Sequence, residues 1–231
     1  MSEPKDELRG LASPPCLAHE IDPAYSGPAE VDRQQALEVA RWRKAERLRL
    51  LADRAALSVE SRKAAADAIA RHLDDWLAQR GKDLDGLTIS AWWPIRGEID
   101  LRFWLAGLAG RGARAALPVV ANQAAPLVFR KWTPETRVER GVWNIPVPAD
   151  GPDIVPDITL SPLVGWDSAG YRLGYGGGYF DRTLGALKPE PLAIGIGLDT
   201  ARVSTIFPQP HDIPMQAIIT ETGPAQLVQD P

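Results

Sequence analysis

The chain has 231 residues, 45% of them hydrophobic and 24% charged, enough to bury the core of one large domain or two small ones. Its net charge of -4, with Lys and Arg mixed among Asp and Glu, leaves no face-wide basic excess for a phosphate backbone and argues against nucleic-acid binding. Cys16 is the only cysteine, which excludes an internal disulfide, and no apolar run reaches membrane-spanning length, so a cytoplasmic protein with no membrane partner is expected.

Residues 1–40 are rich in Pro, Gly and charge and read as an N-terminal extension lying outside or against a domain. Cys16 and His19 have the spacing of half a metal site, but only His72 and His211 remain to complete one, so no zinc role is expected. From about 31 to 56 apolar and alanine positions recur at helical spacing. Ser58 can cap a second helix that runs to Arg80 and stops at Gly81. Residues 87–93 read as a buried strand, 101–108 as a helix closed by glycines, and 113–120 and 127–132 as strands. A strand over 158–164 leads to a glycine-rich loop, followed by a helix over 179–187, strands over 191–198 and 216–220, and a tail at 223–231. Alternating strands and helices predict an α/β fold: a single domain over 41–222 with an open, mostly parallel sheet and helices on both faces.

Arg172, Leu173, Gly174, Tyr175, Gly176, Gly177, Gly178, Tyr179, Phe180 and Asp181 form the most informative run. Glycine lacks Cβ, so such a loop can adopt φ > 0 and direct several N–H groups at one phosphate. Arg172 adds a fixed positive fork and Asp181 a carboxylate able to hold the metal that accompanies a nucleotide. Entering a helix N-terminus from a strand's carboxyl end suits the same anion. The Lys-Ser/Thr of a Walker loop is missing, and a glycine turn between strand and helix remains the alternative.

The stretch 162–182, PLVGWDSAGYRLGYGGGYFDR, resembles the signature of the 5-formyltetrahydrofolate cyclo-ligases, also called methenyltetrahydrofolate synthetases. Further elements fall in that family's order: the basic helix Arg43-Lys44-Ala45-Glu46-Arg47 before Leu57-Ser58, Gly97-Glu98-Ile99-Asp100, Trp143-Asn144-Ile145-Pro146-Val147-Pro148, and His211-Asp212-Ile213-Pro214. The resemblance covers about 41–222. It implies ATP-dependent closure of 5-formyltetrahydrofolate to 5,10-methenyltetrahydrofolate, with ADP and phosphate released. It also implies that residues 172–180 contact ATP, that Asp181 and Asp212 bind Mg²⁺, and that Arg172 and Asp181 are catalytic. A related ATP-dependent enzyme for another amide or carboxylate, or a non-catalytic nucleotide-binding module, are the alternatives.

Two constellations extend that implication. Arg43 and Arg47 share a helical face and can converge on a polyanion, although charged faces are often simply solvated. The family has Lys where this chain has Arg43, with Lys44 displaced by one, which leaves open which of the two meets phosphate. Glu98 is placed to accept two hydrogen bonds from a pterin's aminopyrimidine edge, or else is a helix-start charge. Trp93 and Trp143 are candidate walls for the flat ring.

Overall fold

The computed structural model describes residues 33–228 and begins with two helices, α1 (Arg33–Ala55) and α2 (Val59–Gln79). The extension expected over 1–40 therefore ends inside α1, while Cys16 and His19 lie outside the described residues. Ser58 caps α2 as expected, its side chain accepting the Ser61 N–H. Ala65, Ala66, Ile69, Ala70, Leu73, Trp76 and Leu77 make the buried stripe of α2, the spacing of a helix lying on a sheet.

The strands follow as β1 (Thr88–Ser90), β2 (Arg114–Val119), β3 (Val128–Trp132), β4 (Val138–Arg140), β5 (Pro146–Pro148), β6 (Asp153–Ile154), β7 (Ile158–Pro162), β8 (Gly165–Trp166), β9 (Arg172–Leu173), β10 (Leu192–Ile196), β11 (Ala217–Thr220) and β12 (Gly223–Pro224). Helix α3 (Arg102–Gly107) lies between β1 and β2, and α4 (Tyr179–Ala186) between β9 and β10. One sheet has the order β12-β11-β10-β7-β1-β2-β3-β6. Its inner pairs, β11 with β10, β10 with β7, β7 with β1 and β1 with β2, are parallel, and its edges are antiparallel. The mostly parallel sheet is thus as expected, with antiparallel margins added.

Both faces are covered. Ala115 and Leu117 of β2 join the core built on Ile69, Leu73 and Leu77, whereas Ala116 between them joins Leu127 and Phe129 under Tyr179, Phe180 and Leu187. The parallel strands run 2-1-3-4-5 in order of appearance, so direction reverses between β1 and β7, where α/β sheets open a crevice beyond their carboxyl ends.

The strand expected over 158–164 does not feed the glycine loop directly. β7 ends at Pro162, and β8 and β9 form a separate antiparallel hairpin from which the loop departs. Asp167 closes the hairpin turn by accepting the N–H groups of Ala169 and Tyr171, and Gly170 turns there at φ 86°. The strand expected over 87–93 keeps only three residues, because beyond Ala91 the chain leaves the sheet to line the crevice. Residues 223–224, expected in a tail, pair with β11, and Val228 donates to the Ser168 carbonyl at the hairpin.

Candidate active site

The crevice beyond β1, β7 and β10 holds a narrow cavity of about 40 Å³. Arg54, Trp92, Glu98, Pro162, Leu163 and Leu198 are among the residues lining it. Glu98 is 7% exposed, accepts the Ile95 N–H, and lies against Tyr175 of the glycine loop and the Trp92 indole. Burial pushes its carboxyl up to about 7 against the pull of that hydrogen bond and of Arg54. The helix-start role belongs instead to Asp100, which accepts the Arg102 N–H and pairs with the Arg102 guanidinium. Glu98 is an interior acceptor.

Tyr175 connects this pocket to the loop. Its hydroxyl accepts from Arg54, and burial together with the Glu98 charge pushes the phenol up, so it stays protonated. Gly176 at φ 102° and Gly178 at φ 63° supply the left-handed geometry expected of the loop, whereas Gly177 does not need it. The loop is fastened from both sides. Arg47 donates to the Gly174 carbonyl at 2.6 Å, and Arg182 of α4 turns back onto the Gly177 carbonyl and over the Tyr179 ring. Gly178 begins α4 in left-handed geometry with no side-chain cap, and Leu173 beneath the loop is core.

Asp181 and Asp212 meet at the far side of the loop, close enough for the Asp212 charge to raise Asp181. Burial is the larger cause of that rise, and Arg172 opposes it. Arg172 is itself buried, 2.7 Å from Asp181, too bent for a hydrogen bond, and donates at 3.0 Å to the Ile213 carbonyl. It therefore positions Asp181 instead of presenting an open fork to solvent. Arg43 pairs with Asp212 at 2.5 Å and also holds the carbonyls of Ile206 and Phe207. Lys44 is exposed, so of the two basic neighbours it is Arg43 that faces the site. Among the described residues no three His, Cys, Asp or Glu side chains converge on a metal position. The Asp181–Asp212 pair suits Mg²⁺, which commonly takes one or two carboxylates and completes its shell with phosphate oxygens and water.

The two tryptophans separate. Trp93 lies under the Arg102 guanidinium at 4.4 Å, and its neighbour Trp92 lines the cavity with Glu98 instead. Trp143 is 38% exposed, stands edge-on to Tyr179 with ring centroids 5.3 Å apart, and has φ 56°, followed by Asn144 at φ 61°. Two consecutive non-glycine residues in that region are strained, as functional loops often are. Sequence reading missed Arg54, Trp92, Asp167 and Arg182. Arg54 was within reach, since Arg43, Arg47, Leu50 and Arg54 repeat at helical spacing on one face.

The 5-formyltetrahydrofolate cyclo-ligase family model matches residues 39–221. The 5-formyltetrahydrofolate cyclo-ligase of Mycolicibacterium smegmatis is 32% identical over 174 residues, 70% of this chain and 89% of that protein. The Escherichia coli protein of the same name is 32% identical over 142 residues, 58% of this chain and 77% of its own. The 5,10-methenyltetrahydrofolate synthetase structure from Mycoplasma pneumoniae superposes with TM-score 0.62 at 25% identity, covering 78% of this chain and 98% of that one. The Aquifex aeolicus synthetase shares the fold at TM-score 0.69 and 24% identity, over 82% and 94% of the two chains. The family model over residues 39–221 and the 32% identical relative, on a fold that carries a glycine loop joined through Tyr175 to a buried carboxylate, place the chain in the 5-formyltetrahydrofolate cyclo-ligase family.

Proposed function

We propose that the protein closes 5-formyltetrahydrofolate to 5,10-methenyltetrahydrofolate with ATP as co-substrate, releasing ADP and phosphate. The observation that carries this reading is the contact of Tyr175 with Glu98, because it sets a phosphate-type loop beside a buried acceptor suited to an aminopyrimidine. A formamide oxygen leaves poorly. Attack of that oxygen on the γ-phosphorus expels ADP; N10 then adds to the formyl carbon, and the C–O bond breaks with loss of phosphate and of the N10 proton. The chain's part is positioning and charge placement, with no protein nucleophile.

Within this reading the amides of residues 174–178 and the uncapped start of α4 face the phosphates. Arg47 fixes the loop, Arg172 and Arg43 hold Asp181 and Asp212, and those carboxylates would hold Mg²⁺, which neutralises phosphate charge when bound. Glu98 orients the pterin and Trp92 walls it, while Trp143 stands edge-on to Tyr179 at the end of the glycine loop.

The test is absorbance-monitored formation of methenyltetrahydrofolate from 5-formyltetrahydrofolate with and without ATP and Mg²⁺, in the full chain and in Asp181→Asn. Turnover requires all three components, and Asp181→Asn lowers kcat by about 10² or more, the scale of one lost electrostatic contact. Full activity of a folded Asp181→Asn protein rules out the acidic pair as the metal site. ATP-independent turnover rules out the phosphoryl route.

A further inference from the structure

Arg54 and Arg172 are the buried arginines among the described residues, and their situations differ. Arg172 is neutralised by Asp181. No carboxylate of the described residues lies within 4.0 Å of the Arg54 guanidinium, whose one hydrogen bond runs to the Tyr175 hydroxyl. Its Nε is sealed from water without an acceptor, in the same cavity wall as Trp92. Charged donors are seldom left this way unless a partner arrives. Across the cavity wall, Glu98 offers acceptor oxygens, takes one backbone hydrogen bond from Ile95, and is met by the Tyr175 and Trp92 side chains and by the Arg54 charge.

The cavity therefore presents an acceptor group beside an unsatisfied donor group. A 2-amino-4-oxo pterin carries the complementary edge: the 2-amino group and N3–H donate, and the neighbouring 4-oxo oxygen accepts. We propose that Arg54 is a specificity-determining contact for the pterin, its guanidinium donating to the 4-oxo oxygen while Glu98 accepts from the 2-amino group and N3–H. The inference rests on the assignment of this cavity to the folate. Guanidinium cannot deprotonate in a protein and has no acceptor, so it rejects a ring bearing an amino group at position 4. A site built around one polar contact loses much of its affinity for an analogue that cannot make it.

The test is calorimetric titration of the full chain at pH 8.5 with 5-formyltetrahydrofolate and with its 2,4-diamino counterpart, in wild type, Arg54→Met and Glu98→Gln. Methionine keeps the apolar stem and removes the donors. Arg54→Met is expected to shift the ratio of the two dissociation constants at least tenfold toward the 4-amino compound. If Arg54 only supports Tyr175, both compounds weaken together and the ratio stays within twofold, which overturns the proposal. Where Arg54→Met does not give a cooperative melt, Arg54→Lys replaces it. Lysine keeps the charge with a different donor geometry, and a ratio shifted by threefold or more supports the contact, whereas an unchanged ratio overturns it. An unchanged ratio alongside lost folate binding in Glu98→Gln overturns the Arg54 contact alone. Unchanged folate binding in Glu98→Gln overturns the folate assignment of the cavity, and the Arg54 contact with it.

Discussion

The interior position of Glu98 gives it opposite effects on the empty protein and on the liganded one. Its carboxyl lies at about 7 in the fold against an ordinary 4.5, with burial as the main cause. The fold therefore favours the protonated form. The contribution to stability is full below 4.5 and is lost as pH rises through about 7, a change of about 3 kcal/mol. Glu98→Gln removes that dependence: between pH 4.5 and 8.5 wild type loses about 3 kcal/mol more than the variant in chemical denaturation. A helix-start charge would behave in the reverse way, with the variant weaker at pH 8.5. The folate needs the ionised acceptor, so its KM should fall as pH rises through about 7 in wild type and show no such inflection in Glu98→Gln. Sequence alone left both roles open for Glu98, because Glu98 and Asp100 both precede a helix at plausible offsets. Packing decided between them by turning Asp100 to Arg102 and Glu98 inward.

The glycine loop was legible as an element because its composition has no use in a core, yet the duty of each glycine was not. Gly176 and Gly178 need their φ values; a Cβ on Gly177 would come within 2.9 Å of the Tyr179 ring; Gly174 has neither constraint and nothing within 4 Å of a Cβ. Gly174 thus separates fold from ligand. Gly174→Ala is expected to leave stability within about 0.5 kcal/mol, since an added Cβ meets nothing within 4 Å and no positive φ is required. Nucleotide affinity, measured with a non-hydrolysable ATP analogue, should fall tenfold or more, since the new methyl group stands where phosphate approaches backbone. Unchanged affinity in a stable Gly174→Ala protein would place the phosphates elsewhere. The long helices were equally legible, since α1 and α2 carry sustained period and Ser58 a cap signal. The hairpins β4–β5 and β8–β9 were not: strands of two or three residues, two of them in Pro146–Pro148 prolines, are too short to show alternation and are set by tertiary pairing.

At the scale of the whole molecule, the site is assembled by segments that the sheet does not itself hold. The Asp212 segment is tied to the hairpin by Asp167, which is 2% exposed and accepts from Ala169 and Tyr171 at one oxygen and from Ile206 at the other. Met215 donates to the Gly170 carbonyl, Ile213 donates to Asp181, and Arg43 reaches across from α1 to Ile206, Phe207 and Asp212. The run Trp166-Asp167 belonged to the sequence signature, but nothing in one dimension reveals that its carboxylate reaches a residue 39 positions away. Asp167→Asn tests this coupling with little change of shape. With the amide oxygen at the Ala169 and Tyr171 N–H groups, the amide nitrogen faces the Ile206 N–H, donor against donor, at a cost of about 1–3 kcal/mol in a buried site. The hairpin, and with it the glycine loop, is retained while the Asp212 segment is released. The expected result is faster hydrogen exchange at the Ile206 amide and a KM for Mg·ATP raised about tenfold, with the KM for 5-formyltetrahydrofolate changed less than twofold. Equal rises in both constants would mean that Asp167 supports the hairpin alone, and that the nucleotide and metal halves of the site are not joined through it.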